Sequence, residues 1–298
     1  METVYIRHPI SASVTAQMRP CVLALGFFDG VHLGHKEVLE AAKAAAKQKQ
    51  LAFGVMTFYP HPKDIIQANE EPRKYLTPLP IKEERFREMG VEKLFVVHFT
   101  PEFARLRPED FVVQYIVGLC CKHVVAGFDY HYGYKGKGTM ATLKKEGDGK
   151  FQVTVIHPIK REQEKISSTA IRNLLSVGNV ALIPSYLGDF YEIRGKVKKA
   201  SIYYKNNQFL HILVDEEYML PTPGIYKVYV EIDGQRYKGI CQQISSNGNQ
   251  SFLLVQLTNC LINTHEKRVK VKWLQFSLRK AKEDHDIYQY MEGERRII

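Results

Sequence analysis

Two histidines three positions apart carry the clearest chemistry in this sequence. His32-Leu33-Gly34-His35 ends a stretch that begins Gly26-Phe27-Phe28-Asp29-Gly30-Val31. Each imidazole can donate a hydrogen bond to a phosphate oxygen, and a neighbouring anionic phosphate favours the protonated ring. Gly26, Gly30 and Gly34 let the backbone approach a ligand closely. A helix starting near His35 would add unpaired amides and a positive dipole end, which suits phosphate. A second constellation is Ser168-Thr169-Ala170-Ile171-Arg172. Ser168 and Thr169 suit a helix N-cap, and Arg172 lies one turn in, so hydroxyls, amides and a guanidinium converge. Alone, it is equally an ordinary cap with a surface arginine. Asp129, after Gly127 and Phe128, can accept from ribose hydroxyls or simply form a turn. Tyr130 and Tyr132 can stack on a flat ring or pack in the core. Pro60 and Pro62 stiffen the chain around His61 and keep it non-helical.

These residues need a frame. Up to about residue 186, apolar runs alternate with helical patterns. Residues 22–26, 51–57, 94–97, 123–127 and 151–156 read as strands; 35–49, 81–89 and 111–119 read as helices. That alternation predicts a parallel sheet covered on both faces, with ligands beyond the carboxyl ends of the strands. The loops after Leu25, Val55, Val97 and Ala126 are where chemistry is expected. After about Gly188 the pattern changes to short runs rich in Val, Ile, Tyr and Phe: 208–214, 225–232, 237–243, 251–257 and 268–276. Asp233-Gly234 is a hairpin signal, and residues 246–249 form another turn. The expected fold class is therefore α/β: a Rossmann-like parallel-sheet domain over 1–186, then a small antiparallel β-barrel over 187–298, closed by a helix at 280–289.

Composition narrows the class. With 298 residues, 45% hydrophobic and 25% charged, the chain has the material for two globular domains. No apolar run is long enough for a transmembrane helix, and no secretory signal pattern is seen at the N-terminus. Five cysteines, without a CxxC pair, read as reduced thiols in a cytoplasmic protein. The net charge of +10 favours anionic partners without choosing among nucleotides, nucleic acid or membrane.

His-Leu-Gly-His resembles the HxGH signature of the nucleotidyltransferase superfamily, and the longer string around it resembles the FMN adenylyltransferase module of prokaryotic FAD synthetases. Three further segments agree in order. Met56-Thr57-Phe58-Tyr59-Pro60-His61-Pro62 resembles the family's TFxPHP loop. Gly127-Phe128-Asp129-Tyr130-His131-Tyr132-Gly133 resembles its GxDFxFG loop, and 166–172 its SSTxIR motif. The resemblance implies AMP transfer from ATP to FMN, giving FAD and pyrophosphate, with Mg²⁺ accompanying ATP. It makes His32 and His35 catalytic. It assigns Gly26, Phe28, Asp29, Gly30, Gly34, Gly127 and Asp129 to the nucleotide cradle, and Ser168, Thr169 and Arg172 to the β/γ-phosphates. Phe58, Pro60, His61, Pro62 and Tyr130 are the FMN candidates. No magnesium ligand emerges.

The second half resembles the family's riboflavin kinase barrel without its chemical motifs. Between Gly195 and Pro221 there is neither a Pro-Thr-Ala-Asn loop nor a glycine. Gln256 stands where the family's catalytic glutamate aligns, and an amide is a far poorer proton acceptor. The expectation is a monofunctional FAD synthetase. The alternatives are a bifunctional enzyme with a divergent kinase site, or an RNA-binding or flavin-sensing regulator on the same fold. For the latter, residues 265–282 hold seven Lys/Arg with Trp273 and Phe276 among them. A strand with a solvated basic face and buried aromatics explains the same pattern. Oligomeric state and membrane contact leave no positive signal.

Overall fold

The computed structural model describes residues 1–67, 73–161, 164–199, 202–204, 207–215, 217–245, 251–258 and 262–277. The chain separates into two compact units, Met1–Ser168 and Thr169–Ile298. The expected closing helix at 280–289, the turn at 246–249 and Cys260 lie outside the described residues. Cys21, Cys120, Cys121 and Cys241 are free thiols.

The first unit is built on six parallel strands: β1 (Glu2–Ile6), β2 (Cys21–Leu25), β3 (Ala52–Tyr59), β4 (Lys93–His98), β5 (Cys121–Gly127) and β6 (Gln152–Ile156), in the order β1-β4-β3-β2-β5-β6. The inner strands are mostly apolar because both faces are covered, and every residue of β2 is buried. The helix Leu33–Lys49 packs on β2, β3 and β5 and buries Val38, Leu39, Ala42 and Ala46, spaced for one face. Each large aliphatic side chain so covered contributes about 1.5–3 kcal/mol. The opposite face carries an aromatic-rich core around Phe58, Phe95, Phe103, Phe111 and Tyr115.

Three differences from the sequence reading matter. β1 is an extra strand, too short to stand out beside its polar neighbours. β3 runs to Tyr59, two residues past the expected end at Thr57, so Phe58 lies in the strand rather than in the loop that follows it. The expected helix at 111–119 is a short α-helix, Pro108–Phe111, followed by a π-helical stretch, Val112–Val117. A two-residue hairpin, β7 (Lys160–Arg161) with β8 (Glu164–Lys165), follows β6.

Strand order reverses between β2 and β5. From β2 the chain adds β3 and β4 on one side; β5 and β6 lie on the other. Ligands bind in such sheets at the crevice where the order reverses. The loops leaving β2 and β5 flank it, and they carry the Gly26–His35 and Gly127–Gly133 stretches.

The second unit holds β9 (Tyr191–Val197), β10 (Ile202–Tyr204), β11 (Asn207–Val214), β12 (Ile225–Ile232), β13 (Gln235–Ser245), β14 (Ser251–Thr258) and β15 (Arg268–Phe276). Six of them, β11-β14-β13-β12-β15-β9, close into an antiparallel barrel through the β9–β11 pairing; β10 extends one edge. At that closing seam a Cβ on Gly195 would lie 2.5 Å from the Leu213 carbonyl oxygen, so only glycine fits. β9 and β15 alternate buried and half-buried residues, with Tyr191, Val271 and Trp273 inside.

Candidate active site

The β2 loop is held in an unusual backbone. Phe28, Gly30 and Val31 all have positive φ, at 57°, 87° and 45°. Two of these are not glycine, and such conformations persist only where surroundings over-determine them. Here the surroundings do so. Phe28 and Val31 are buried. The Phe27 carbonyl accepts from the Thr57 hydroxyl (2.9 Å) and from Lys82 Nζ (3.1 Å), which also lies 4.2 Å from the Phe27 ring. The Gly30 carbonyl accepts from Arg85 at 3.0 Å. The Asp29 carbonyl accepts from the Ser168 hydroxyl at 2.8 Å. The buried Asp29 carboxylate accepts from the amides of Leu76 and Thr77 at 2.9 and 3.0 Å. Gly26 has room only for hydrogen, because a Cβ would meet the Phe28 ring at 2.8 Å. Phe28 and Asp29, expected at the nucleotide, are thus the inner supports of the loop.

That frame presents the histidines. His32 is the N-cap of Leu33–Lys49, its Nδ1 accepting from the His35 amide at 3.2 Å. A neutral ring bonded this way carries its proton on Nε2 and can donate outward. The two rings stack, centroids 3.6 Å apart and planes 15° from parallel. Gly34 makes this possible: a Cβ there would press on the His32 ring at 3.2 Å. Burial lowers the His32 pKa to about 4; the Lys165 charge adds to this, while Asp129 and a backbone hydrogen bond oppose it. His35 is held well below the usual imidazole range by burial, then by His32, Lys82 and Lys165. Its Nδ1 is buried with no hydrogen-bond partner among the described residues. Both rings are therefore neutral at pH 7 with no ligand bound, and an arriving phosphate would pull both pKa values upward.

From β5, Asp129 pairs with Lys165 of β8, whose ammonium also lies 4.8 Å from the Phe128 ring. Gly127 lets the Asp129 carboxylate fold back, since a Cβ there would sit 3.1 Å from Oδ1. Lys165, Lys82 and Arg85 escaped the sequence reading. Lys165 alone had a local signal, its place directly before the Ile166-Ser167-Ser168 string.

Beside this polar end lies an open cavity of about 630 Å³, walled by Phe58, Pro62, Phe99, Phe103, Tyr130 and Tyr132 among others. The Tyr130 hydroxyl is buried with no hydrogen-bond partner among the described residues, and burial raises its pKa. Tyr132 is core, its hydroxyl bonded to Thr142 at 3.2 Å. Pro60 and His61 do not line the cavity. His61 instead caps Pro62–Ile66 through Nδ1, and its ring meets Phe27 edge-on at 4.3 Å.

Ser168 begins the helix Ser168–Ser176, so Ser168 and Thr169 are first-turn residues rather than the caps the sequence suggested. Ser168 spends its hydroxyl on the β2 loop. In the second unit, Thr169 is exposed and Arg172 is half-buried, donating to the Met219 sulfur at 3.5 Å.

Of the seven basic residues at 265–282, the four among the described residues are ion-paired, and Arg279, Lys280 and Lys282 lie outside them. Lys270 meets Glu231 (3.1 Å), Lys272 meets Asp189 (2.7 Å) and Glu192 (3.8 Å), Lys267 meets Asp233 (2.5 Å), and Arg268 meets Asp215 (4.0 Å). Trp273 is buried against Tyr226, and Phe276 packs on the same ring. Gln256 is nearly buried on β14, with its carbonyl oxygen unpartnered among the described residues.

Known proteins resemble this chain along most of its length. Residues 14–170 match the FAD synthetase family model. A bifunctional riboflavin kinase/FMN adenylyltransferase of Listeria monocytogenes is 38% identical over 93% of this chain and 90% of its own length. One from Bacillus subtilis is 40% identical over 81% and 77%. A Listeria monocytogenes FAD synthetase is 31% identical over 70% and 81%. The crystal structure of a macrolide-efflux protein from Streptococcus pneumoniae superimposes with a TM-score of 0.80 at 26% identity, covering 99% of this chain and 98% of that one. With the family model spanning more than half of it and relatives above 30% identity along most of its length, the chain belongs to the FAD synthetase family.

Proposed function

We propose that the chain is a monofunctional FMN adenylyltransferase, with residues 1–186 as the catalytic domain and 187–298 as a kinase-like barrel without kinase activity. The enzyme joins the AMP moiety of ATP to FMN and releases pyrophosphate. The FMN phosphate attacks the α-phosphorus in line, and no covalent enzyme intermediate is required. The protein's work is to bring two anions together and stabilise the charge that develops on the leaving pyrophosphate. The observation that carries this reading is the stacked His32–His35 pair at the amide-rich start of a 17-residue helix, on a loop fixed by backbone clamps.

In this reading His32 and His35 donate to the triphosphate. Gly26, Gly30 and Gly34 keep the loop low enough for contact, with Phe28 and Asp29 supporting it from beneath. Gly127 and Asp129 serve the adenosine side. The family motif assigns Ser168, Thr169 and Arg172 to the β/γ-phosphates. Phe58, Pro62 and Tyr130 suit the flavin ring through their cavity, while Pro60 and His61 stand outside its lining. Magnesium enters with ATP, whose own oxygens are its hard ligands. Among the described residues no three His, Cys, Asp or Glu side chains converge. We therefore assign no protein ligand to it and derive no step through it.

The silent barrel rests on the missing Pro-Thr-Ala-Asn loop and on Gln256 at the aligned base position. One observation favours a second reading with kinase activity retained: relatives at 38–40% identity are bifunctional. A product assay with ATP and Mg²⁺, run with FMN and with riboflavin, separates the two. FAD from FMN and nothing from riboflavin is expected. FMN formed from riboflavin would overturn the silent barrel, and no product from either flavin would overturn adenylyl transfer.

A further inference from the structure

The ion pair between Lys165 and Asp129 sits at the mouth of the β2–β5 crevice and belongs to none of the motifs as a pair. Both members are open to solvent, with side chains 40% and 54% exposed. An ion pair so exposed adds little to folding, so its place invites a different explanation. Lys165 is also held against the Phe128 ring, at 4.8 Å. Its charge is felt at both His32 and His35, while that of Asp129 is felt at His32. The ammonium thus acts on the histidine pair from its place beside Asp129 and Phe128, and a single carboxylate neutralises it. A polyphosphate carries several negative charges and competes well for such an ammonium; a monoanion does not.

We propose that Lys165 is a polyphosphate-binding residue held in reserve by Asp129, and that the triphosphate exchanges one ion pair for two ligand contacts. Lys165 leaves Asp129 for the phosphate oxygens beside His32 and His35. The freed Asp129 carboxylate then accepts from the ribose hydroxyls. The exchange favours nucleoside triphosphates over nucleoside monophosphates and over inorganic monophosphate. Phe128 keeps the ammonium near the crevice through its ring face. This inference rests on the assignment of the crevice to ATP.

The test is binding of inorganic tripolyphosphate to the full chain by calorimetry, because that probe lacks ribose and needs no turnover. Lys165→Met should weaken binding at least tenfold, and Lys165→Arg should stay within about threefold of wild type. Asp129→Asn should tighten it, and that gain should vanish in the Lys165→Met background, since the carboxylate acts by occupying the lysine. If the Asp129→Asn gain persists without Lys165, the exchange is refuted and only a long-range field remains. If Lys165→Met binds tripolyphosphate like wild type while wild type makes FAD, the inference fails alone. If wild type neither binds tripolyphosphate nor makes FAD, the assignment of the crevice to ATP fails and takes the inference with it.

Discussion

His32 performs two tasks with one ring. Nδ1 caps the helix, and Nε2 is left to donate to a ligand. The tasks can be separated, because asparagine also caps well. His32→Asn should lose about 100-fold or more in FAD formation, as expected for a lost donor to developing charge, with its unfolding midpoint close to wild type. His32→Ala should lose activity equally and in addition about 1 kcal/mol of stability, the cost of the missing cap. Urea unfolding beside FAD assays checks both; an active His32→Asn would remove this histidine from the chemistry. The same ring makes stability depend on pH. Its pKa is about 4 in the folded protein against 6.5 for a free imidazole, and that of His35 is also depressed. The unfolded chain therefore binds more protons across that interval, so stability is full above about pH 6.5 and falls as the pH drops toward 4. Wild type should show this slope, and His32→Asn should show a shallower one.

Among elements, the β2 loop owes its shape to residues far along the chain. Asp29 accepts from the amides of Leu76 and Thr77, while Lys82 and Arg85 reach back from the helix Leu79–Glu88 to the loop carbonyls. These contacts hold Phe28 and Val31 at positive φ, a strain of order 1–3 kcal/mol per residue. Asp29→Ala should therefore cost about 1–3 kcal/mol by leaving two buried amides unsatisfied. It should also lower FAD formation by misplacing His32, although Asp29 touches no ligand in this reading. Amide exchange at Leu76 and Thr77 reports the loss directly; unchanged protection there would refute the strut.

For the whole molecule, the question is what a net charge of +10 is for. On the barrel, Lys267, Arg268, Lys270 and Lys272 each have an acidic neighbour within 4.0 Å, and the interleaved Trp273 is buried. Among the described residues of the 265–282 run, the cations that a phosphate backbone would need are therefore paired and the Trp273 ring is closed to stacking bases; Arg279, Lys280 and Lys282 lie outside the described residues. Mobility-shift titration with single-stranded RNA at low salt should show no retained complex. A shift that weakens steeply with added salt would restore the nucleic-acid reading.

Sequence alone determined the two-part architecture, because periodicity changes visibly near Gly188 and side-chain spacing is a local property. It also determined the His32–His35 pair, the glycines at 26, 30 and 34, and the cavity residues Phe58, Pro62 and Tyr130, since these lie in short ordered motifs. The helix start at Ser168 and the extension of β3 from Thr57 to Tyr59 were missed by one or two residues, as element ends depend on tertiary hydrogen bonds. Only the tertiary structure decided that β2 and β5, a hundred residues apart, are neighbours. Only it showed that Phe28 and Asp29 are buried supports of the loop, and brought Lys82, Arg85 and Lys165 to the loop and its histidines. The physical reason is that periodicity, glycine and proline act through the nearest residues in the chain. Which distant cation or amide completes a loop depends on strand order and register, which the packing of the whole core selects.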